Sequence, residues 1–325
     1  MKILIILPNW LGDAIMTTPA IELLSKYYPQ ANFTFLGSYV SIEALKHHPK
    51  CERAVIDETK KASSRLVATY KLAKDLGEFS FIVNFRNQIH ASLLAYFTGT
   101  VLCLARSSWH SKTLLSHAKK ISTKQHLVLQ YIELAMQNTD AYTQETPPLK
   151  LYIPQRNYEK PTLGINAGAT YGSAKRWYPE RFAAVASAFA DKYDIVIFGG
   201  PNEVEMAGEI EENLKKLKVK NYTNLAGKTS VKELCSFIGG CSLFITNDSG
   251  PMHIAAAYQV PTVAIFGPTK YTETSQWMNK KSKIVRHEME CSPCMKRECP
   301  LKHHECMTSI TALEVIEAVK ELVKN

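Results

Sequence analysis

Short apolar runs alternate with segments of helical spacing through the first half of the chain. Residues 3–7 form a continuous apolar run, which is typical of a parallel strand buried on both faces. Residues 14–27 follow with apolar side chains at roughly helical spacing. By the same criteria, further strands are predicted at residues 32–36, 54–56, 79–83 and 101–104, and further helices at residues 64–76, 90–97 and 126–137.

A polar segment, residues 138–160, interrupts this alternation. It contains Pro147, Pro148 and Pro154, and it is the best candidate domain boundary in the chain. We therefore predict one domain at residues 1–155 and another at residues 156–325. The alternation then resumes, with strands predicted at residues 162–166, 195–198, 223–225, 243–246 and 262–266, and helices at residues 179–192, 202–216, 231–238, 253–258 and 312–324.

Two such arrays in series predict an α/β fold with two doubly wound, Rossmann-like parallel sheets that face each other. Ligands of these sheets bind beyond the carboxyl ends of the strands. We therefore expect the functional side chains in the loops that follow strands, along a cleft between the two domains.

Composition and charge add a candidate class of partner. The chain has 325 residues, of which 46% are hydrophobic and 21% charged, and these are values of a globular protein. Its net charge of +9 suits nucleic acid, an anionic small molecule or an anionic membrane surface. Residues 105–124 hold five Lys or Arg and no acidic residue, which favours a local anionic partner. A solvated loop explains that segment equally well.

The sequence predicts a cytosolic protein. Two stretches without charge, residues 91–105 and 254–269, are shorter than the roughly 20 apolar residues of a membrane span. The first apolar run stops at Pro8, and Asp13 follows before any cleavage-site pattern, so a secretory signal is not expected. In the cytosol, the eight cysteines are expected to be thiols, metal ligands or reactive groups.

The loop after the first predicted strand, residues 7–13, lacks the Gly-x-Gly-x-x-Gly fingerprint of a dinucleotide site, since Gly12 is its only glycine. An NAD-type site is therefore not expected. Asp13 stands where this loop enters a helix. It either caps that helix or serves as a general base, and the residues alone favour the cap.

A second loop, residues 166–177, has a composition that suits phosphate binding. Gly168 and Gly172 allow the backbone to approach a ligand closely, and Lys175 and Arg176 supply positive charge. An ordinary loop with surface charges fits the same residues.

A third loop, residues 246–253, leads from an apolar strand into a helix. The first amides of that helix suit an anion such as a diphosphate, while the Asp248 carboxylate suits sugar hydroxyls. Capping of the helix by Asp248 or Ser249 is the alternative.

A fourth loop, residues 227–230 (GKTS), is not a Walker loop, because that motif requires glycine where the chain has Tyr222. A turn followed by a Thr or Ser helix cap is predicted there.

Two segments in combination identify a family. Residues 7–24 (LPNWLGDAIMTTPAIELL) and 246–269 (TNDSGPMHIAAAYQVPTVAIFGPT) resemble the ADP-heptose glycosyltransferases of lipopolysaccharide inner-core synthesis. Residues 166–186 and 291–307 are similar to the heptosyltransferase II branch. The resemblance implies a GT-B fold and an inverting transfer of heptose from ADP-heptose to the first inner-core heptose on Kdo–lipid A. It also implies that no metal or other cofactor is required, and the chain has no Asp-x-Asp metal motif.

The resemblance implies roles for individual residues. Asp13 matches the catalytic base of the family, which reverses the preference for a cap. Lys175 matches the cation at the donor diphosphate, with a catalytic as well as a binding role, and Asp248 matches the residue that holds the heptose hydroxyls. The other donor-binding residues implied are Asn9, Trp10, Gly12, Thr170, Glu203 near the ribose, Thr229 near the adenine, Ser249, Gly250 and His253.

The acceptor side is predicted from charge alone, because the acceptor carries phosphates or carboxylates. The candidate acceptor-binding residues are Arg86, Arg106, Lys112, Lys119 and Lys120. Residues 1–155 would then bind the acceptor and residues 156–325 ADP-heptose, with the last helix returning toward the first domain. The expected partners are ADP-heptose, heptosylated Kdo–lipid A and the cytoplasmic face of the inner membrane, but not nucleic acid.

A cysteine cluster precedes the last predicted helix. Cys291, Cys294, Cys299 and Cys306 have the spacing C-x2-C-x4-C-x6-C. Such spacing is a candidate for a structural zinc site, but a disulfide pair and free thiols also fit it, and all three remain open.

Two other functions fit parts of the sequence. A GT-B transferase of other specificity, or a nucleotide-sugar epimerase, would share the fold, because a fold does not determine a function. A basic nucleic-acid-binding protein would use residues 105–124 together with the cysteine cluster.

Overall fold

The computed structural model describes residues 1–137, 139 and 146–324. The chain divides into two compact units, Met1–Tyr152 and Ile153–Asn325. The division lies a few residues before the predicted boundary at 155/156. Residues 138 and 140–145, within the polar segment on which that prediction depended, lie outside the described residues.

The first unit is built on a parallel six-stranded sheet. The side chains of the first strand are buried from Ile3 to Ile6, as its continuous apolar run predicts. The strands are β1 (Lys2–Ile6), β2 (Asn32–Gly37), β3 (Cys51–Ile56), β4 (Phe81–Asn84), β5 (Cys103–Arg106) and β6 (His117–Lys119). The helices are α1 (Leu11–Met16), α2 (Thr18–Tyr27), α3 (Tyr39–Leu45), α4 (Arg65–Leu76), α5 (Ile89–Phe97), α6 (Trp109–Leu114) and α7 (Leu127–Ala135).

The second unit repeats this plan. The strands are β7 (Thr162–Asn166), β8 (Asp194–Phe198), β9 (Tyr222–Asn224), β10 (Leu243–Asn247), β11 (Thr262–Ile265) and β12 (Ser282–Val285). The helices are α8 (Pro179–Phe189), α9 (Val204–Lys216), α10 (Val231–Gly239), α11 (Gly250–Ala257), α12 (Tyr271–Thr274), α13 (Glu305–Thr308) and α14 (Ala312–Lys324). The apolar side of α14, with Val315 and Val319, packs into the core of this same unit. The return of this helix toward the first unit stays a prediction.

Both sheets have the same strand order, and the strand pairings are parallel. The order is β3-β2-β1-β4-β5-β6 in the first unit and, read from the corresponding edge, β9-β8-β7-β10-β11-β12 in the second. The strand order reverses between β1 and β4 and between β7 and β10. Each reversal opens a crevice at the carboxyl ends of the two strands, which is where ligands of doubly wound sheets bind. The predicted α/β class with two doubly wound parallel sheets is confirmed.

Two sequence predictions need correction in detail. The helix predicted at residues 14–27 is two helices that meet at Thr17, because Pro19 has no N–H to offer the Ile15 carbonyl, and the Thr18 hydroxyl donates to it instead at 2.7 Å. The prediction also lacked the short edge strands β6 and β12 and the helices α3, α6, α12 and α13. Ser38 caps α3, and Ser108 forms a capping box with Ser111 at the start of α6.

None of the helices formed by residues 1–137, 139 and 146–324 combines the length and apolar character that crossing a bilayer requires.

Candidate active site

A buried ion pair lies at the β7/β10 crevice of the second unit. The loop after β7 carries Lys175, and the loop after β10 carries Asp248. The Lys175 ammonium lies 2.5 Å from Asp248 Oδ2 and donates to the Asp248 carbonyl at 3.3 Å. Because β7 and β10 are neighbours in the sheet, the strand order brings together two residues that are 73 positions apart in sequence. The pair combines a cation for phosphate with a carboxylate for hydroxyl groups.

Thr269 completes this pair from a third loop, which follows β11. Its hydroxyl donates to Asp248 Oδ2 at 2.6 Å, so that Lys175 and Thr269 share one carboxylate oxygen. Thr269 and Asp248 are both buried. Two donors to one oxygen fix the plane of the carboxylate, and they direct the other oxygen, Oδ1, toward a different partner.

The start of α11 adds donors beside this pair. Ser249 occupies the N-cap position, but within the described structure no side chain forms a capping hydrogen bond there. Asp248 lies before the cap, so the capping alternative for Asp248 is wrong. Pro251 has no amide hydrogen and the Met252 amide donates to the Ser249 carbonyl at 3.1 Å, so this turn offers an anion the amides of Ser249 and Gly250, aided by the helix dipole. His253 is buried on the same turn.

Glu203 is held against the loop that carries Lys175. Its carboxylate accepts a hydrogen bond from the Gly200 amide at 2.8 Å. A Cβ at Gly168 would lie about 2.0 Å from the Glu203 carboxyl carbon, so any larger residue there would displace the Glu203 carboxylate from its present position. The close approach places Glu203 at the carboxyl ends of β7 and β8.

Two further donor candidates are less constrained. Thr170 is exposed in the loop after β7, and Thr229 is half-buried just before α10. Ser230 caps α10 in a capping box with Glu233, which confirms the cap predicted for residues 227–230.

In the first unit, Asp13 lies in the first turn of α1. Trp10 is the N-cap residue, so Asp13 is not the cap that the sequence first favoured. The preceding loop is fixed by two serine hydroxyls, which donate to its backbone: Ser38 to the Asn9 carbonyl at 2.8 Å and Ser41 to the Pro8 carbonyl at 2.5 Å. Gly12 is half-buried beside Asp13, and Trp10 is exposed.

Tyr131 of α7 connects Asp13 with Arg106. Burial raises the pKa of the Tyr131 phenol well above its usual value, the negative charge of Asp13 raises this pKa further, and the positive charge of Arg106 lowers it. Arg106 ends β5 and donates to the Gln130 amide oxygen at 2.6 Å. Thus Arg106, a predicted acceptor residue, and Asp13, the predicted base, act on the same tyrosine.

Arg86 differs from the other predicted acceptor residues because it is buried. Its Nη1 donates to Asp57 Oδ2 at 2.8 Å, and its Nε donates to the Leu7 carbonyl at 2.6 Å. His90 lies 3.1 Å from the same Asp57 oxygen, and Thr59 donates to Oδ1. Arg86 therefore fixes the end of β1, directly before the Asp13 loop, while acceptor binding by Arg86 stays a prediction.

The other four predicted acceptor-binding residues fall into two groups. Arg106 and Lys119 are register partners on β5 and β6, and Lys120 follows, so these three lie at the carboxyl edge of the sheet. Lys112 lies instead on the last turn of α6. The structure brings together three of the five predicted acceptor residues at the edge that also carries Asp13.

The four clustered cysteines line one small cavity of about 170 Å³ together with His303 and His304. None of the four forms a disulfide bond in the structure. In residues 1–137, 139 and 146–324, the structure shows no group of three or more His, Cys, Asp or Glu side chains arranged to hold a metal ion.

The segment that carries these cysteines, residues 291–306, connects two of the loops described above, and we call it the cysteine segment. The Arg297 carbonyl accepts from the Ala174 amide at 3.0 Å, and the Met295 carbonyl accepts from the Tyr171 hydroxyl at 2.7 Å. The Met295 amide donates to the Pro268 carbonyl at 2.9 Å. The segment thereby holds together the loop of Lys175 and the loop of Thr269.

Sequence reasoning missed three residues of these networks: Asp57, His90 and Thr269. Asp57 follows a strand directly, which is the signal that identified the other loops. Thr269 ends a segment that already carried the family resemblance. His90 has no sequence signal, because its contact with Asp57 depends on the packing of α5 against the sheet.

With the fold and site described, comparison with known proteins identifies the class. The chain matches glycosyltransferase family 9 (heptosyltransferase) over residues 69–305, which is most of its length. It belongs to this family and is a glycosyltransferase, as the sequence predicted.

The relatives are heptosyltransferases, and the similarity extends over nearly the whole length of both chains. Lipooligosaccharide heptosyltransferase 2 of Campylobacter jejuni subsp. jejuni serotype O:2 is 40% identical, with 100% of this chain and 99% of that protein covered. Lipopolysaccharide heptosyltransferase 2 of Escherichia coli K12 is 27% identical, with 99% of both covered. The solved structure of E. coli ADP-heptose lps heptosyltransferase II superposes with a TM-score of 0.84 at 25% identity, covering 99% of this chain and 98% of that one. The prediction of a heptosyltransferase is confirmed.

Proposed function

We propose that this enzyme transfers heptose from ADP-heptose to the first heptose of the lipopolysaccharide inner core, with inversion at the anomeric carbon. The observation that carries the proposal is the buried Lys175–Asp248 pair at the uncapped start of α11. It offers positive charge and amides for a diphosphate, and a carboxylate for the hydroxyls of the attached sugar. The names of the relatives, heptosyltransferase 2, support the same substrates.

The second unit is proposed to bind the donor. Lys175 and the amides of Ser249 and Gly250 stabilise the charge that develops on the departing ADP, while Asp248 binds heptose hydroxyls. Glu203 contacts the ribose, and Thr229 the adenine. The further donor contacts in this proposal are Asn9, Trp10, Gly12, Thr170 and His253.

The first unit is proposed to bind the acceptor. Asp13 takes the proton of the acceptor hydroxyl as that oxygen attacks the anomeric carbon, and the bond from this carbon to the diphosphate oxygen breaks. Inversion follows from a single displacement of this kind. Arg106, Lys119 and Lys120 bind phosphates or carboxylates of the acceptor.

The reaction is proposed to need no cofactor, because Lys175 and the helix amides supply the positive charge at the diphosphate. Turnover is then expected to be unchanged after dialysis against EDTA. The acceptor is linked to lipid A, so we place the enzyme in the cytoplasm, bound peripherally to the inner membrane.

The test is turnover of ADP-heptose with a heptosylated Kdo–lipid A acceptor. Expected results are ADP release, an acceptor heavier by one heptose in mass spectrometry, and NMR evidence that the new anomeric configuration is opposite to that of the donor. Conversion of the nucleotide sugar without acceptor would indicate an epimerase instead. Transfer only to another sugar would contradict the proposed acceptor.

A further inference from the structure

The net charge of the chain is concentrated in one part of the first unit. Residues 60–124 contain eleven Lys or Arg and two Asp or Glu, so this segment alone carries +9, the net charge of the whole chain. The rest of the chain has equal numbers of basic and acidic residues. Eight of the eleven basic residues in the segment are exposed, and all eight are lysines: Lys60, Lys61, Lys71, Lys74, Lys112, Lys119, Lys120 and Lys124.

The same segment exposes large apolar side chains. Val101 is 85% exposed and Trp109 is 73% exposed, which are the highest values among the large apolar residues of the described chain. Monomeric soluble proteins rarely expose contiguous apolar surface without a use for it. The exposed large apolar residues of the segment are Leu66, Val67, Tyr70, Ile89, Tyr96, Val101 and Trp109.

Helix α4 shows how these two features combine. Its buried side consists of Thr69, Ala73 and Leu76. Its exposed side carries Leu66, Val67, Tyr70, Lys71 and Lys74, which recur at the spacing of a single helix face. A solvated helix carries mostly polar residues on its outer side. Apolar and aromatic residues mixed with lysines are instead typical of a helix that lies in a membrane interface.

Helices α4, α5 and α6 place these residues on one surface. The three helices contact each other in sequence, and they cover the core cluster that contains Leu4 and Ile6 of β1. The rings of Tyr70 on α4 and Phe97 on α5 meet edge to face at 5.4 Å, and the Lys74 ammonium lies 5.6 Å from the centre of the Tyr70 ring. We call the exposed side of these helices and of the loop after α5 the α4–α5–α6 surface; its residues are Tyr70, Lys71, Lys74, Ile89, Tyr96, Val101, Trp109 and Lys112.

A recess opens in this surface. It has a volume of about 450 Å³, and Tyr70, Tyr96, Val101 and Leu114 line it, with Lys74 as its basic residue. Its residues from Gly99 to Val101 and at Ser116 precede β5 and β6, so the recess lies at the amino ends of the strands. It is therefore separate from Asp13, Arg106 and Lys119, which lie at the carboxyl ends.

We propose that the α4–α5–α6 surface docks the enzyme on an anionic lipid bilayer. Tyrosine and tryptophan side chains suit the headgroup level of a bilayer, since one end of each is apolar and the other polar. Lysines extend their apolar stems along such a surface and place the ammonium groups among anionic headgroups. The exposed lysines of this surface, Lys71, Lys74 and Lys112, are complementary in charge to anionic headgroups.

Nucleic acid and a second protein copy fit the surface less well. Nucleic-acid sites use arginine for bidentate contacts to bases and phosphates, whereas the exposed cations here are lysines and the arginines of the segment are at least half-buried. A self-association surface would bring like charges of this density against each other, which is unfavourable. Both occupants are outcomes of the test below.

The inference rests on the proposed function only in that a lipid-linked acceptor explains why an enzyme would need such a surface. The vesicle measurement needs neither donor nor acceptor. Failure of the docking proposal and failure of the proposed function are therefore separate results.

The experiment measures co-sedimentation of the protein with vesicles of phosphatidylethanolamine and phosphatidylglycerol, and with vesicles of phosphatidylcholine. We expect binding to the anionic vesicles that is at least about tenfold tighter than to the neutral ones and that weakens as salt is added. Lys71→Glu with Lys74→Glu is expected to weaken anionic binding by at least about tenfold, because about 1 kcal/mol accompanies each charge near such a surface. Tyr96→Ser with Val101→Ser is expected to weaken binding to both kinds of vesicle.

Matched variants in the second unit serve as controls. Lys216→Glu with Lys220→Glu changes two exposed lysines, and Leu217→Ser with Leu313→Ser changes two exposed leucines. These controls should bind vesicles as the unmodified enzyme does. All four double variants should retain turnover with a water-soluble, delipidated acceptor.

The proposal is overturned if the unmodified enzyme does not bind anionic vesicles at low salt, or if both pairs of α4–α5–α6 variants bind as tightly as it does. It is also overturned if an oligonucleotide binds more tightly than the vesicles. A dimer that becomes a monomer in Tyr96→Ser with Val101→Ser would assign the surface to a second copy of the chain instead.

Discussion

Lys175 and Asp248 form a buried ion pair at the carboxyl ends of β7 and β10, with 2.5 Å between the ammonium nitrogen and Oδ2. The side chains are 12% and 3% exposed. Burying two charges is unfavourable unless they are paired and further hydrogen-bonded, and Thr269 supplies a further bond. Such a pair is weak support for stability but a good device for holding two functional groups in a fixed arrangement.

Replacing Lys175 is expected to reduce both turnover and stability. In Lys175→Met, the Asp248 carboxylate is left buried without its cation, which costs about 3 kcal/mol of unfolding free energy. Loss of a charge that stabilises the leaving diphosphate should lower kcat by about 10² to 10³. Denaturant unfolding and initial rates with saturating ADP-heptose measure the two effects.

The double variant Lys175→Met with Asp248→Asn separates these two roles. Its neutral amide removes the unpaired charge, so stability should recover in part, while kcat stays low. Recovery of kcat in the double variant would mean that Lys175 serves only to neutralise Asp248.

Thr269 is expected to be a positioning residue for Asp248. Thr269→Val removes the hydroxyl but keeps the shape, so Asp248 loses one of the two bonds that fix its carboxylate. We expect kcat/KM for ADP-heptose to fall about tenfold, in line with a hydrogen bond to a charged group. ADP, which lacks the sugar, should bind as before. Thr269→Ser should restore kcat/KM, and an equal loss in the Ser and Val variants would contradict the role of the hydroxyl.

Asp13→Asn tests the proposed base. The amide keeps the size of the side chain but cannot accept a proton, so kcat should fall by at least about 10². Binding of ADP, measured by thermal shift, should be unchanged, because the proposed donor diphosphate contacts belong to the second unit. Turnover within about tenfold of the original, roughly 1.4 kcal/mol in activation free energy, would show that Asp13 is not the base.

The pattern of apolar runs was sufficient to predict both sheets, because a parallel strand buried on both faces leaves a clear signal, as in residues 3–7. The edge strands β6 and β12 were missed because their side chains are exposed or half-buried and their sequences carry no such run. The sequence also indicated which loops carry chemistry, since Lys175 and Asp248 each follow a strand. It did not show that these two residues pair with each other or share Thr269, because their contacts depend on β7, β10 and β11 being neighbours.

The Asp57–Arg86 pair predicts how stability depends on pH. Burial alone would raise the pKa of Asp57, but hydrogen bonds from His90, Thr59 and Arg86 and the charge of Arg86 outweigh it and lower this pKa far below its usual 3.8. A carboxyl whose pKa is lower in the folded than in the unfolded state stabilises the fold fully above about pH 4. This stabilisation is lost progressively as the pH falls below that value.

Asp57→Asn measures that contribution. We expect a loss of about 3 kcal/mol at neutral pH, since Arg86 would keep its charge without a partner, and a smaller difference from the unmodified protein below about pH 4. Asp75→Asn is the control, because the Asp75–Arg53 pair is exposed and should contribute under about 1 kcal/mol. A difference for Asp57→Asn that stays constant down to pH 3 would contradict the assignment.

The cysteine segment predicts a pattern of thiol reactivity that separates free thiols from a metal site. Cys291, Cys294 and Cys299 are half-exposed, whereas Cys306 is buried, and burial raises its pKa to about 11. Burial likewise raises the pKa of Cys51 to about 11 and those of Cys103 and Cys235 to about 12, while Cys241 is buried with a raised pKa as well. Because the thiolate is the reactive form, three fast and five slow thiols are expected with a disulfide reagent in the native enzyme at pH 8. Cys291→Ser with Cys294→Ser should leave one fast thiol.

A structural zinc site would give a different result. Enzyme purified without a His tag would then hold about one equivalent of metal, because a structural site should be nearly full, and the fast thiols would appear only after a chelator is added.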